Sequence, residues 1–360
     1  MTKPILFNLT DTELEQFITK LGQPKFRAKQ VREWLNRGAP DFSVMKNLPE
    51  SLRVALDKNA TALPLRVVKK LDSSDGQTTK FLLELNDNEF IESVLMRTSY
   101  GNSVCVSSQV GCAMGCRFCA STILGLKRNL TTNEMLSQVL IASFYTHDSV
   151  GLKDLTHPNG DKNNNDITHI VVMGTGEPLL NFINTIGFLE RAHNDLNIGW
   201  RRMTISTCGI IPGIKNLIEW GRPINLAISL HATEQCVRSD LMPINLQYNF
   251  NDVLDNAFTF SEKTGRQLMI EYILLGGIND SNDDALRLAN LLQNKNCMVN
   301  LIPWNAVDER DWEIPSGNKI HKFQDILIKN GIHTRIRKER GADIGSACGQ
   351  LRIKKQSTFC

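Results

Sequence analysis

Three cysteines, Cys112, Cys116 and Cys119, stand at a C-x3-C-x2-C spacing inside the stretch SSQVGCAMGCRFCASTILG. Thiols crowded this closely point to metal rather than to incidental core packing. A structural zinc site closes its tetrahedron with four protein ligands, and ordinary ferredoxin clusters also take four thiolates. A three-cysteine clamp leaves one metal coordination position for a ligand from outside the protein. Spacing alone does not separate an Fe–S cluster from zinc. The small and apolar neighbours Ala113, Met114, Phe118 and Ala120 favour a shielded cluster.

Other reactive residue types fall at the ends of apolar runs. In VVMGTGEPLLN, Gly174 and Gly176 would let a ligand approach the backbone, and Glu177 can accept from an ammonium group. A dinucleotide fingerprint fails here, because Leu179 stands at the third glycine position and Pro178 precedes any helix. ISTCG offers Ser206, ISLHA offers Ser229 and His231, and LIPWN offers Asn305. Singly, each reads as a tight turn or a satisfied structural group; several on one rim with a metal clamp read as a site. Cys348, in GSACGQL, follows the basic residues Arg335, Arg337, Lys338 and Arg340. Nearby positive charge favours a nucleophilic thiolate, and the same cluster suits an RNA-binding mouth. The plainer reading is a buried cysteine in a small-residue turn.

The elements that must position these residues are legible as patterns. Thr10 and Glu13 form a capping-box pair ahead of Leu14, Phe17, Ile18 and Leu21. A second helix is expected over residues 25–37, with Lys25, Arg27, Lys29 and Arg32 on its polar faces as a solvated or RNA-facing surface. Alternating runs at 80–85 and 90–96, separated by Asn86-Asp87-Asn88, predict a hairpin. From residue 103 onward, apolar runs at 104–110, 167–173, 203–206, 224–230, 269–275, 299–303 and 333–337 alternate with helical patterns such as 133–145, 183–192 and 214–220. This α/β rhythm predicts a parallel sheet with right-handed crossovers. About six units fit, too few for a closed eight-unit barrel, so an open partial (βα)6 barrel is expected.

The resulting division is a small N-terminal helical domain at 1–75, a β-hairpin extension at 76–97, the barrel at 98–340 and a C-terminal segment at 341–360. Residues 153–166, rich in Asn and Lys, read as an exposed loop. The chain has 360 residues, 41% of them hydrophobic, and a formal charge of +3, which permits a nucleic-acid partner without demanding one. Nine cysteines are few for a disulfide scaffold of this length. Neither a leader pattern nor an apolar run of membrane length is present, so a cytoplasmic protein without membrane attachment is expected.

Taken in order, CVSSQVGCAMGCRFCAS, VVMGTGEPLLN, ISLHA, LIPWN and ACGQL resemble the radical S-adenosylmethionine (SAM) superfamily, and within it the adenine-methylating RlmN/Cfr family. The resemblance spans nearly the whole chain. It implies a radical-SAM barrel in which Cys112, Cys116 and Cys119 hold a [4Fe-4S] cluster whose vacant iron is chelated by SAM. Gly176, Glu177, Ser206, Ser229, Leu230, His231 and Asn305 match the family's SAM-contacting positions. Cys348 matches the cysteine that receives a methyl group and carries it to carbon 2 of an adenine. Cys105 matches the residue that resolves the resulting protein–RNA crosslink, leaving a Cys105–Cys348 disulfide, and Glu92 matches the general base. The implied partners are 23S rRNA, tRNA and a reductase or flavodoxin-like electron donor, with the enzyme a monomer. Thr175 departs from the Met common in this family.

Two alternatives stay open. Methylation at carbon 8 marks a branch that tends to have Cys before the Gly-Cys pair and Ala after the Glu; here those positions are Val110 and Pro178. A non-catalytic Fe–S or zinc RNA-binding module is the other. Cys116→Ala is expected to abolish both iron uptake and SAM cleavage; metal analysis of anaerobically prepared protein checks this, and retention of four irons with SAM cleavage intact would refute it.

Overall fold

Thr10 starts the first helix as its sequence predicts. Its hydroxyl accepts from the Glu13 N–H (3.3 Å), and the Glu13 carboxylate accepts from the Thr10 N–H (2.8 Å). The structure, a computed structural model, describes residues 3–147, 167–305, 312–337, 340–345 and 351. The loop expected at 153–166 lies outside the described residues. Helices α1 (Asp11–Lys20), α2 (Phe26–Asn36) and α3 (Glu50–Asn59) bury Leu14, Ile18, Val31, Trp34, Leu35, Leu52 and Leu56 on their shared faces. Fully burying such a side chain is worth about 1.5–3 kcal/mol, which offsets the ordering of these short helices. The same apolar cluster continues into the barrel, so the helices are not a separate core.

The sheet begins earlier than the hairpin expected from sequence. Strands β1 (Leu65–Asp72), β2 (Thr78–Leu85), β3 (Phe90–Thr98) and β4 (Gly101–Cys105) form an antiparallel meander. β1 occupies residues that read as part of the helical domain. It pairs on one side only and is largely exposed, and Lys69 and Lys70 suit such an edge while masking its alternation. The run at 104–110 also divides. β4 ends at Cys105, and residues 109–111 turn away to form β5 (Gln109–Gly111), paired with β6 (Leu126–Asn129).

β4 is followed in the main sheet by parallel strands β7 (Ile167–Val172), β8 (Met203–Thr207), β9 (Asn225–Ser229), β10 (Leu268–Leu274), β11 (Cys297–Pro303) and β12 (Thr334–Ile336). The order β1-β2-β3-β4-β7-β8-β9-β10-β11-β12 leaves β1 and β12 as edges, so the barrel is open. Helices α4 (Thr132–His147), α5 (Phe182–Leu196), α6 (Ile211–Trp220), α7 (Gln235–Leu241), α8 (Phe250–Thr264), α9 (Asn282–Leu292) and α10 (Gly317–Lys329) complete six βα units, as expected. No helix among the described residues is long and apolar enough to cross a membrane.

Strand parity separates the two faces of this sheet. Val104, Ile170, Val172, Ile205, Leu226, Ile228, Ile270 and Leu301 are fully buried beneath the helices. Cys105, Val171, Ser206, Ser229 and Asn300 alternate with them on the concave face and remain partly accessible. That face is where a ligand can reach the strands.

Gly111 closes the β5–β6 pair in a backbone conformation no side chain tolerates easily. Its φ is +74°, and a Cβ there would fall 1.8 Å from the Gly125 carbonyl oxygen. Gly111→Ala should therefore cost on the order of 1–3 kcal/mol, measured as a lower denaturant midpoint. An unchanged midpoint would contradict this account of the turn.

Candidate functional site

The three cysteines occupy the loop that β5 and β6 close. The Cys112 N–H donates to Gly125 O (3.1 Å), Thr122 Oγ1 donates to Cys119 O (3.0 Å), and the Arg117 N–H donates to Leu241 O (2.9 Å), seating the loop against α7. Cys112 and Cys116 are buried and Cys119 is half-buried. Burial pushes the Cys112 thiol up to about 12 and Cys116 well above its ordinary value, with Cys119 and Glu177 adding negative repulsion at both. Such thiols ionise only against a cationic centre, which fits a metal-binding donor set. Among the described residues no group of three His, Cys, Asp or Glu side chains is gathered closely enough for a single metal ion. The trio shares one loop and one electrostatic neighbourhood without meeting at a point.

Residues 107–109 fasten this loop to the GTGE segment. The Ser108 and Gln109 N–H groups both donate to Thr175 O (2.9 and 3.1 Å), and Gln109 Oε1 accepts from the Glu177 N–H (2.8 Å). Ser107 Oγ accepts from the Thr175 N–H (3.0 Å) and donates to Glu92 O (2.6 Å). Asn181 Nδ2 donates to Ser108 O (2.8 Å) and Leu130 O (2.7 Å). Gly176 is required here: φ is +111°, and a Cβ would lie 2.6 Å from Gln109 Cβ. Sequence reasoning missed Ser107, Gln109 and Asn181 as positioning groups, because only their tertiary partners reveal them.

Glu177 does more than its strand-end position suggests. It is buried, and its carboxylate accepts from the Leu179 N–H (3.0 Å) and the Cys208 N–H (2.8 Å). Burial raises its pKa, while these backbone bonds pull the other way. The residue expected to accept from an ammonium group therefore also ties the β7 loop to the end of β8.

The remaining strand ends lie on the same rim of the sheet. Ser206 and Ser229 lie on the concave face, Leu230 is buried, and Asn305 is half-buried just beyond β11. His231 has φ +61° and is buried. Its Nδ1 accepts from the Ile273 N–H (3.0 Å), so the neutral ring carries its proton at Nε2. Phe118, from the cysteine loop, meets the His231 ring edge-on at 4.6 Å between centroids. Arg238 on α7 donates to Cys208 O (2.9 Å), Ser229 O (3.0 Å) and Leu230 O (3.0 Å), binding the ends of β8 and β9 together. Burying an ion this completely costs several kcal/mol unless its surroundings compensate. Neither Arg238 nor Cys208 stands out in the sequence.

Glu92 and Cys105 share the concave face, since Cys105 pairs with Val94 on β3 and Glu92 lies two residues from Val94. Glu92 is buried, with Lys80 Nζ 3.1 Å from its carboxylate; the same ammonium donates to Gly345 O (3.0 Å). Ser121 Oγ, in the cysteine loop, donates to Leu351 O (2.8 Å). Cys348 lies outside the described residues.

Two basic residues of β6 are paired with carboxylates. Lys127 Nζ lies 2.6 Å from the Glu89 carboxylate, and Arg128 binds Asp87 (2.6 Å) and Glu134 (2.9 Å). Their carboxylate partners come from the hairpin turn and α4, which no local pattern reveals. On α2, Arg32 is likewise held by Asp11 (2.9 Å).

Comparison with known proteins gives this geometry its context. Residues 5–62 match the family described as the ribosomal RNA large subunit methyltransferase N-terminal domain. A probable dual-specificity RNA methyltransferase RlmN from Alkaliphilus oremlandii is 44% identical over 98% of this chain and 99% of its own length. The chain belongs to the RlmN methyltransferase family. A second RlmN relative, from Clostridium acetobutylicum, is 45% identical over 96% of both chains. The crystal structure of a radical SAM methyltransferase from Sphaerobacter thermophilus superposes with a TM-score of 0.83 at 38% identity, covering 97% of this chain and 99% of that one. The RlmN-type fold is thus shared from the N-terminal helices through the barrel.

Burial, reinforced by the nearby Arg238 charge, lowers the His231 pKa from 6.5 to about 3. Unfolded chains bind this proton below pH 6.5 and the folded protein does not, so the stability His231 contributes is complete above pH 6.5 and lost as pH falls towards about 3. His231→Gln should flatten that part of the stability–pH curve in metal-free protein. Parallel curves for the two proteins would show that the ring is not buried neutral.

Proposed function

We propose that this chain methylates carbon 2 of an adenine in 23S rRNA, with tRNA as a second substrate, by radical SAM chemistry. The carrying observation is the convergence of the three-cysteine loop, the GTGE segment and the polar strand ends on one rim, above a concave face bearing Glu92 and Cys105. Cys112, Cys116 and Cys119 would hold a [4Fe-4S] cluster. A polynuclear cluster bonds its thiolates to different irons, which suits three thiols that do not meet around one ion. Gly176, Glu177, Ser206, Ser229, Leu230, His231 and Asn305 would form the SAM side of the rim. When bound, SAM and the cluster supply a methyl group and a carbon radical.

Adenine carbon 2 has no lone pair with which to attack a sulfonium methyl, so a methyl carrier on the protein is needed. Cys348 serves as that carrier, holding the carbon as a thioether. Once this carbon is bonded to the base, Glu92 takes the C2 proton. The Cys105 thiolate then attacks the Cys348 sulfur; the S–C bond breaks with its electron pair on the product carbon, which takes up a proton to become the methyl group, and a Cys105–Cys348 disulfide forms, which cellular thiols reduce. Access to carbon 2 requires the target base to leave its stack.

The two cysteines are separable by experiment. Cys348→Ala should stop before any bond to RNA forms, leaving free, unmodified RNA. Cys105→Ala should stall covalently joined to its RNA through Cys348, visible as an adduct on a denaturing gel. Normal turnover by Cys105→Ala, or an adduct with Cys348→Ala, would reverse or remove these roles.

A further inference from the structure

Among the described residues Arg238 is the only Lys or Arg in the fully buried interior, with no exposed surface. Its guanidinium meets no carboxylate there. It donates instead to neutral oxygens: Asn245 Oδ1 (2.7 Å) and the carbonyls of Cys208, Ser229 and Leu230. Burial draws its pKa down only to about 10, so it is charged at pH 7. Hydrogen bonds to carbonyls satisfy the donors but leave a full positive charge without a balancing negative one.

The groups of the adjoining cysteine loop that would become negative on binding a metal are its thiols. Arg238 holds the carbonyls of Cys208 and Leu230, and Phe118 of the cysteine loop packs on His231, the residue after Leu230, so the guanidinium sits directly behind that loop. α7 itself is held to the cysteine loop through Arg117, whose N–H donates to Leu241 O and whose side chain pairs with Asp240. The charge is therefore fixed relative to the thiols by backbone as well as by side chains.

We propose that Arg238 is the built-in countercharge of the three-thiolate centre, a positioning residue that favours the centre's more negative, reduced state. The proposal rests on the reading of Cys112, Cys116 and Cys119 as cluster ligands. Each electron added to a thiolate-held cluster adds negative charge to a dry pocket, where a fixed cation acts with little screening. Clamping two strand ends needs the donors of Arg238; favouring the reduced centre needs its charge. Those requirements can be separated.

Asn245→Asp separates them with little change in shape. It sets a carboxylate on the guanidinium, keeps the Arg238 clamp and neutralises its charge, while removing the bonds that Asn245 Nδ2 donates to Gln235 O (3.2 Å) and Ser239 Oγ (2.8 Å). Anaerobically reconstituted full-length proteins would be titrated to obtain the cluster reduction potential, with thermal melting recorded alongside. In Asn245→Asp the reduced-to-oxidised ratio at a fixed potential should fall about tenfold, equivalent to ~59 mV for one electron, in protein that still folds and loads iron. Arg238→Lys should melt lower yet hold its potential near wild type, and Arg238→Gln should lose both. A loaded Asn245→Asp protein with the wild-type potential overturns the proposal. Should that variant fail to fold or to load, equal potentials in Arg238→Lys and Arg238→Gln overturn it, and a lower potential in the Gln protein supports it. Failure of the wild-type chain itself to take up iron would instead refute the cluster reading on which the proposal rests.

Discussion

The contact between residues 107–109 and the turn at 174–177 is the joint on which the site depends. A small antiparallel pair carries the cysteine loop, and a parallel strand carries the GTGE segment; no ladder hydrogen bonds join them. Ser107, Ser108 and Gln109 do so instead, with Gly176 leaving the space that Gln109 occupies. Each bond contributes only about 1 kcal/mol net, but leaving a buried donor or acceptor unpaired there would cost about 1–3 kcal/mol. Asn181 extends the joint to Leu130, and Gln138 on α4 exchanges bonds with the Ser107 backbone (2.9 Å each way). The joint is therefore set by satisfied polar groups, which specify one geometry where apolar packing would accept several.

Charge in the surrounding interior is arranged with similar economy. His231 is kept neutral by burial and by the backbone N–H that its Nδ1 accepts. Glu177 spends its carboxylate on two backbone donors. The thiols of Cys112, Cys116 and Cys208 are held protonated by burial in the absence of a cationic centre. Arg238 is the exception, charged and without a carboxylate. A low-dielectric site with one fixed cation facing several potential thiolates is suited to a metal centre that the protein does not fully coordinate by itself.

The antiparallel meander extends this rim in a direction a plain βα barrel lacks. By continuing the sheet from β4 through β3, it adds Glu92 to the face that carries Cys105, and Lys80 joins Glu92 to the backbone of Gly345. The N-terminal helices reach the barrel through contacts as specific as Asn133 Nδ2 donating to Asn8 Oδ1 (2.7 Å) and Arg191 standing over the Phe7 ring (5.4 Å). Similarity to the Sphaerobacter thermophilus methyltransferase over nearly the entire chain agrees with this continuity.

What the sequence determined by itself was local or periodic. The Thr10–Glu13 cap, the six βα units and the cysteine spacing are written in neighbouring residues, and burial of one face per strand follows from alternation. The motif order was enough to bring the family into view, and through it Glu92, which alone reads as an ordinary strand carboxylate. What only the tertiary structure decided were relations between distant segments. Strand register put Glu92 and Cys105 on one face; edge position made a strand of the lysine-bearing 65–72; and folding supplied Lys127 and Arg128 with carboxylates from elsewhere. Arg238 is the clearest case, since an arginine's meaning depends on whether water or protein surrounds it. Local pattern reports which residues a segment holds, whereas burial and charge pairing are properties of what folds against it.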